Sequence, residues 1–184
     1  MPPHLFVVMR EIIIRTRHIY TGRILDLNVH DVRLPDGSES VREVIQHRGA
    51  VAVVALFENR DVLLVRQFRI GADAVLYEIP AGLLEAGEPP EACATRELQE
   101  EVGYRPGSLV SLGGFYTAPG YTSEYIHLFL ASALVTSRLD SDPEEFIEIV
   151  RLPLARALEM IEAGDIVDGK TVIGLLRAAH RLVV

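Results

Sequence analysis

Three glutamates in one short segment have the side chains and the spacing to bind a metal ion. Glu97, Glu100 and Glu101 stand at positions i, i+3 and i+4, which places them on one face of a helix. Like charges at this spacing repel and weaken a helix by roughly a few tenths of a kcal/mol per pair. A divalent cation offsets that repulsion, and carboxylate oxygens suit the hard ions Mg²⁺ and Mn²⁺. The alternative is an acidic helix face that is only solvated.

Two further residues extend this group. Arg96 stands four residues before Glu100, so one ion pair within the helix is predicted. Glu88 lies in the loop before the helix, from which it can fold back towards the same side chains. We refer to these four glutamates and Arg96 as the glutamate cluster.

Local signals place the glutamate cluster on a helix that follows a strand. Pro89-Pro90 opens a segment with apolar residues at helical spacing, and Gly103 occupies the position of a helix C-cap. Before the loop, Val75–Ile79 has the composition of a strand. A strand, a loop and a helix are therefore predicted to position the carboxylates.

The rest of the chain predicts a mixture of strands and single helices. Ala50–Phe57 is a nearly continuous apolar run, typical of a strand buried on both faces. Further strands are predicted at Glu11–Arg17, Arg23–Leu34, Val62–Phe68, Leu109–Thr117, Tyr125–Leu130 and Phe146–Leu152, and further helices at Pro153–Ala163 and Thr171–Leu182. This order favours an α+β fold or a mixed α/β/α sandwich over a doubly wound parallel sheet.

Composition restricts the partners and the compartment. The chain has 184 residues, of which 49% are hydrophobic, enough for a sizeable core. Its apolar runs, such as Gly49–Phe57, are far shorter than the ~18–20 residues of a membrane span. The net charge of −8 argues against nucleic-acid binding. The single cysteine, Cys93, excludes an intramolecular disulfide and fits a reducing cytoplasm. We expect a cytoplasmic protein that binds neither membrane nor nucleic acid.

The segment Gly82–Tyr104 resembles the Nudix box. It reads GLLEAGEPPEACATRELQEEVGY, and the family pattern is G-x5-E-x7-R-E-U-x-E-E-x-G-U, in which U is apolar. Tyr104 stands where an aliphatic residue is more usual. The resemblance implies a Nudix hydrolase, with an α/β/α sandwich around a mixed sheet, that cleaves a nucleoside diphosphate linked to another moiety. It also implies a Mg²⁺ site, which Mn²⁺ also suits, with Glu97, Glu100, Glu101 and the carbonyl of Ala81 as ligands, support from Glu88 and orientation by Arg96.

Other segments resemble the ADP-ribose pyrophosphatase branch of this family. Val65–Arg69 and the following Glu78–Ala81 match it, which implies that Arg69 and Arg66 contact the diphosphate. Without the resemblance, both arginines are ordinary charges at a sheet edge. A Pro-Gly pair, Pro119 and Gly120, has its proline sixteen residues after Gly103, as in members that cleave ADP-ribose. A Pro-Gly pair by itself indicates only a turn.

An acidic segment near the C-terminal third matches the loop that supplies the catalytic base in this branch. It spans Asp142–Glu148, and alignment on its Phe-Ile-Glu assigns the base to Glu145, with Glu144 as the rival. Taken without the family, an acidic loop before a strand is most often solvent-facing.

The resemblance extends over most of the chain and implies a β extension at the N-terminus. Residues 1–48 are expected to form an antiparallel extension for dimerisation and base contacts, and residues 49–184 the Nudix hydrolase domain. Glu43 occupies a position that receives the adenine amino group, with Arg42 beside it. Members of the branch are similar in being homodimers, whose N-terminal strands reach across to the partner's site.

The resemblance therefore implies Mg²⁺-dependent hydrolysis of ADP-ribose to AMP and ribose 5-phosphate. One alternative is another nucleoside diphosphate sugar, such as a GDP- or UDP-hexose, as the substrate. A second is a Nudix module that senses a nucleotide without cleaving it. The complete set of box glutamates argues against the second alternative.

Overall fold

The structure, a computed structural model, describes residues 9–140 and 146–183. The strands are β1 Ile12–Thr21, β2 Leu25–Arg33, β3 Glu39–His47, β4 Ala50–Leu56, β5 Asp61–Arg69, β6 Ala74–Glu78, β7 Ala81–Leu83, β8 Tyr104–Arg105, β9 Ser108–Tyr116, β10 Tyr125–Ser132, β11 Val135–Thr136 and β12 Glu148–Pro153. The helices are α1 Pro90–Glu97, α2 Leu154–Ala163 and α3 Gly169–Val183, and Leu98–Val102 forms a π-helical turn directly after α1. Over the described ranges, none of these helices is long and apolar enough to span a membrane.

The chain divides into two compact units. The first runs to Arg48 and includes Ala118–Glu124. It contains a three-stranded antiparallel sheet in the order β1-β2-β3. Ala118–Glu124 joins this unit through β3, because Ile45 donates its N–H to the carbonyl of Tyr121 (2.8 Å) and accepts from the N–H of Ser123 (2.9 Å). The antiparallel extension predicted at the N-terminus is confirmed.

A mixed sheet forms the second unit. Its strands follow the order β12-β5-β4-β10-β9, with β6 paired to β5 and β7 paired to β4. β10 runs parallel to β4, and the other pairs are antiparallel. All seven residues of β4 are buried, as its apolar run predicts.

Alternate residues of β4 enter two separate cores. Successive side chains of a strand point to opposite faces of the sheet. On one face, Ala52, Val54 and Leu56 pack with buried residues of α2 and α3. On the other face, Val51, Val53 and Ala55 pack with buried residues of α1. Helices therefore cover both faces, and the α/β/α sandwich is confirmed.

The structure differs from the sequence prediction around the glutamate cluster. The predicted helical segment does end at Gly103, but it changes from an α-helix to a π-helical turn after Glu97. In a π-helical turn each N–H bonds one residue further back than in an α-helix, and the apolar spacing does not reveal this shift. The strands β7, β8 and β11 were not predicted, since two or three residues are too few to show a period.

Candidate active site

Packing against the sheet fixes the segment that carries the glutamates. Its buried apolar residues are Cys93, Ala94, Leu98 and Val102. Gly103 ends the segment in the left-handed conformation, with φ of +76°, which favours glycine. Glu100 and Glu101 lie in the π-helical turn, and such turns are frequent at functional sites.

The guanidinium of Arg96 binds three carboxylates. Its Nη1 donates to Oε1 of Glu97 (2.7 Å) and to Oε2 of Glu100 (2.9 Å), and the second contact is the predicted ion pair. Its Nε and Nη2 donate to the two oxygens of Glu88, each at 3.0 Å. These contacts, first the hydrogen bonds to Glu88, raise the pKa of Arg96. Arg96 therefore remains a fixed positive charge among the glutamates.

Glu88 uses both of its oxygens in the loop before α1. Besides the bonds from Arg96, its Oε2 accepts the backbone N–H of Glu85 at 3.1 Å. The Arg96 hydrogen bonds are the main reason that the pKa of Glu88 falls to about 2, although desolvation opposes the shift. Glu88 is thus ionised at neutral pH and orients Arg96.

The short strand β7 lies directly against the carboxylates. Oε2 of Glu101 accepts the N–H of Ala81 at 3.1 Å. A Cβ placed on Gly82 would lie 1.9 Å from the carboxyl carbon of Glu97. The Glu97 carboxylate therefore occupies the space that any larger residue at Gly82 would need. This close approach brings Glu97 to the backbone beside Ala81, whose carbonyl the resemblance implies as a ligand.

The chemistry of the donor set fits a hard divalent cation. Glu97 and Glu101 are only 8% and 7% exposed. Four carboxylates with one guanidinium leave the glutamate cluster with three excess negative charges. Carboxylate oxygens are the ligands that Mg²⁺ prefers, so a group of this composition suits that ion.

The carboxylates are not arranged around a common point. Among residues 9–140 and 146–183, no three His, Cys, Asp or Glu side chains are placed to hold a metal ion as they stand. The hydrogen bonds of Arg96 account for this, since they direct Glu97 and Glu100 to the guanidinium.

The thiol of Cys93 lies beside the glutamate cluster, and its surroundings make it unreactive. Its Sγ lies 3.4 Å from the carbonyl of Leu83 and 3.3 Å from Nη2 of Arg96. Burial, and then the charge of Glu97, raise its pKa to about 12. Cys93 is therefore a protonated residue on the buried face of α1.

Arg69, predicted to contact the diphosphate, is held at the end of β5 by Glu78 of β6. Its Nε and Nη2 donate to the two Glu78 oxygens, both at 2.7 Å. These hydrogen bonds are the main cause of a raised pKa of Arg69, and the charges of Glu101 and Asp168 add to it. Arg69 is thus within electrostatic reach of the glutamate cluster.

Arg66 connects β5 to the strand that follows the acidic segment. Its Nη1 donates to Glu148 of β12 at 2.7 Å, and its guanidinium carbon lies 5.3 Å from the ring centroid of Tyr77. Within the described chain its Nε is buried and has no hydrogen-bond partner. Glu144 and Glu145, the two candidates for the base, lie outside the described residues.

The sequence did not reveal a second group of residues at Glu78, which joins it in addition to Arg69. Lys170, at the start of α3, donates its Nζ to Oε2 of Glu78 and lies 3.1 Å from Oδ2 of Asp168. Thr171 donates to the same Asp168 oxygen and accepts the backbone N–H of Ile79 at 2.8 Å. The feature of the sequence that could have drawn attention to Lys170 is that it is the only lysine of the chain.

Four predicted substrate-binding residues lie in the first unit. Arg42 donates to Glu11 at 2.6 Å, across the sheet of that unit. Glu43 is exposed on β3. Pro119 and Gly120 are exposed in the turn of Ala118–Glu124.

Two protein-family models match the chain. The NUDIX domain matches residues 46–172, and the nucleoside diphosphate sugar hydrolase N-terminal domain matches residues 11–45. These ranges agree with the described fold, in which a β extension precedes the unit that carries the glutamate cluster.

Several characterised proteins are similar to the chain over most of its length. An ADP-ribose pyrophosphatase of Bacillus subtilis is 41% identical over 89% of both chains. A methanol dehydrogenase activator of Bacillus methanolicus is also 41% identical, over 91% of this chain and 92% of the relative. A GDP-mannose pyrophosphatase of Salmonella paratyphi B is 40% identical, over 75% of this chain and 82% of the relative.

A solved structure has the same fold. The crystal structure of an ADP compounds hydrolase superposes with a TM-score of 0.84, at 26% identity, over 94% of both chains.

Proposed function

The chain belongs to the Nudix family and carries the N-terminal domain of nucleoside diphosphate sugar hydrolases, and on this basis we propose that its substrate is ADP-ribose. At the level of the family it is a nucleoside diphosphate sugar pyrophosphatase. The products of the proposed reaction are AMP and ribose 5-phosphate.

The observation that carries the proposed diphosphate hydrolysis is the glutamate cluster on α1 and its π-helical turn. Glu97 and Glu101 are buried beside the backbone of Ala81 and Gly82, and Arg96 binds Glu97, Glu88 and Glu100. A solvated acidic face does not bury its carboxylates, and it has no need of a glycine to admit one of them. The arrangement therefore favours catalysis over the solvated helix face.

Mg²⁺ is the proposed cofactor, and Mn²⁺ has the same ligand preference. Glu97, Glu100, Glu101 and the carbonyl of Ala81 are the groups that would hold it. When bound, the ion supplies positive charge to the diphosphate oxygens and lowers the pKa of water. Glu88 acts indirectly, because both of its oxygens are bound by Arg96 and the Glu85 N–H.

The chain's own residues bind the substrate and move the proton. Arg69 and Arg66, at the end of β5, supply guanidinium groups for the diphosphate, which arginine binds through two parallel hydrogen bonds. Glu145, with Glu144 as the rival, takes the proton from the attacking water. Arg42, Glu43, Pro119 and Gly120 complete the proposed substrate contacts.

We rank ADP-ribose above GDP-mannose as the proposed substrate because the relative named for ADP-ribose aligns with more of this chain. The Bacillus subtilis relative, named for ADP-ribose, aligns over 89% of this chain, whereas the Salmonella relative, named for GDP-mannose, aligns over 75%. The identities are nearly equal, at 41% and 40%. GDP-mannose is therefore the second candidate substrate.

A substrate panel tests this choice. The purified protein is assayed with Mg²⁺ on ADP-ribose, GDP-mannose and UDP-glucose, with an added phosphatase that releases phosphate only from the monoester products. We expect kcat/KM for ADP-ribose to exceed the others by about tenfold or more. A preference for GDP-mannose would assign the second candidate, and no phosphate release from any compound would favour a nucleotide-sensing module.

We also propose a homodimer formed through the first unit. β1 is exposed along its whole length in the single chain, and Ile12, Ile13, Ile19 and Tyr20 are each more than half exposed. Apolar strands of this kind are covered in most folded proteins. Light scattering after gel filtration should give twice the mass of one chain, and a single-chain mass would contradict the proposal.

A further inference from the structure

Glu78 is the most deeply buried carboxylate among the described residues. It is 1% exposed, yet two cations, Arg69 and Lys170, form ion pairs with it. Its two oxygens accept two bonds from Arg69, and one of them also accepts from Lys170. A carboxylate is retained at such a position only when its partners replace the lost water.

The charges of this network balance across two strands and the start of a helix. Lys170 is also paired with Asp168, so two cations face two carboxylates. Arg69 and Glu78 come from β5 and β6, whereas Lys170 lies in α3 and Asp168 precedes it. The exposure of the two cations differs, because the side chain of Arg69 is 43% exposed and that of Lys170 is 13% exposed. Of the two, only Arg69 is open to a solute.

The bidentate contact fixes one edge of the Arg69 guanidinium. A guanidinium has five N–H donors, and the two bonds to Glu78 use Nε and one proton of Nη2. The other protons remain for a second acceptor. Arg69 is bound to Glu78, and three residues after Glu78 the N–H of Ala81 donates to Glu101, so we place that acceptor near the glutamate cluster, where the diphosphate is proposed to bind.

We propose that Glu78 and Lys170 are positioning residues, which hold the Arg69 guanidinium in the orientation that binds the substrate diphosphate. Glu78 sets the plane of the guanidinium. Lys170 supplies the second positive charge that keeps Glu78 ionised and in place without drawing Arg69 further into the protein. This inference rests on the proposed function, in which Arg69 contacts the diphosphate.

The same network also fixes the backbone that leads to the glutamate cluster. Thr171, next to Lys170, accepts the N–H of Ile79 at 2.8 Å, and the carbonyl of Pro80 accepts the N–H of Val53 at 2.8 Å. One residue later, Ala81 donates to Glu101. The start of α3 is thereby linked to the cluster through three consecutive residues of one segment.

If the ion network only stabilises the fold, the effect of replacing Glu78 does not depend on Arg69. A double-mutant cycle separates this structural role from the positioning role. Glu78→Gln is measured in the wild type and in an Arg69→Met background, with kcat and KM for ADP-ribose determined separately. If Glu78 acts through Arg69, its replacement should raise KM by about tenfold in the wild type, the scale of one charge-assisted hydrogen bond. In the Arg69→Met background it should change kcat/KM by less than about twofold.

Lys170 provides a second, independent test. Lys170→Met should raise KM in the same direction as Glu78→Gln, and Lys170→Arg should restore most of the loss because it returns the charge. Asp61→Asn is the matched control, since Asp61 also pairs with an arginine, Arg151 at 2.9 Å, but lies at the opposite end of β5. It should leave KM unchanged. Circular dichroism shows whether Glu78→Gln folds. If it does not, the Lys170 variants test the proposal on their own.

Two results would overturn the positioning role. The first is an additive cycle, in which Glu78→Gln lowers kcat/KM equally with and without Arg69. The second is a KM for ADP-ribose within about twofold of wild type in folded Glu78→Gln or Lys170→Met. Failure of the proposed function is a separate result, because the wild-type protein itself would then release no product from ADP-ribose.

Discussion

Replacing Gly82 with alanine should displace the carboxylate of Glu97, and the structure gives the size of that displacement. A Cβ at this position lies 1.9 Å from the carboxyl carbon of Glu97, and ordinary contact begins at 3.4 Å. The carboxylate must therefore retreat by about 1.5 Å, and Arg96, which donates to it at 2.7 Å, resists the movement. Groups in a catalytic site tolerate errors of only about 0.5 Å.

We expect Gly82→Ala to lower kcat/KM by about 10²-fold or more, equivalent to about 2.7 kcal/mol of transition-state stabilisation. The variant should remain folded, because the displaced atoms are the end of a flexible side chain. Mg²⁺ should raise the Tm of the wild type, since it binds the folded state. The same concentration should raise the Tm of Gly82→Ala less. The assays are steady-state kinetics on ADP-ribose and thermal unfolding with and without Mg²⁺.

Gly71→Ala is the control for the loss of a glycine. A Cβ at Gly71 meets nothing within 4 Å, so this variant should keep its activity and its response to Mg²⁺. If folded Gly82→Ala matches Gly71→Ala in both assays, the position of the Glu97 carboxylate is irrelevant to metal binding, and the assignment of this cluster as the active site is refuted.

Three further predictions concern individual carboxylates. Glu101→Gln keeps the size of the side chain but removes a charge, and should lower turnover by about 10²-fold without unfolding the protein; near wild-type turnover would place the metal elsewhere. Glu145→Gln should lower kcat by roughly 10²–10⁴-fold with little change in substrate binding, and Glu144→Gln far less; the reversed order would show that the alignment is shifted by one residue. The pKa of Glu88 falls from its ordinary 4.5 to about 2 on folding, so its contribution to stability is present above pH 4.5 and is lost as the pH falls towards 2. Urea unfolding at several pH values in this window should therefore show a shallower loss of stability for Glu88→Gln than for the wild type, and equal losses would contradict the shift.

Much of the fold and part of the site follow from local patterns in the sequence. The apolar run of Ala50–Phe57 predicts a central strand because no solvent-facing residue interrupts it. The spacing of Arg96 and Glu100 predicts their ion pair, since both are on one helix. Gly103 marks the end of the helical segment. In each case the determining residues are close in the chain.

The features that the sequence did not reveal depend on tertiary contacts. Lys170 binds Glu78 across 92 positions of the chain, and no periodicity records such a contact. The approach of Glu97 to Gly82 exists only because β7 packs against α1. The π-helical turn at Leu98–Val102 changes the hydrogen-bond partner by one residue while leaving the apolar face nearly unaltered.

Product analysis of ADP-ribose hydrolysis with and without a divalent ion tests the central claim most directly. The protein is incubated with ADP-ribose and Mg²⁺, with excess EDTA, and with EDTA followed by excess Mg²⁺, and the nucleotides are separated by anion-exchange chromatography. The proposed function predicts equal amounts of AMP and ribose 5-phosphate with Mg²⁺, none with EDTA, and recovery when Mg²⁺ is restored. Full hydrolysis in excess chelator, or intact ADP-ribose in the presence of Mg²⁺, would contradict it.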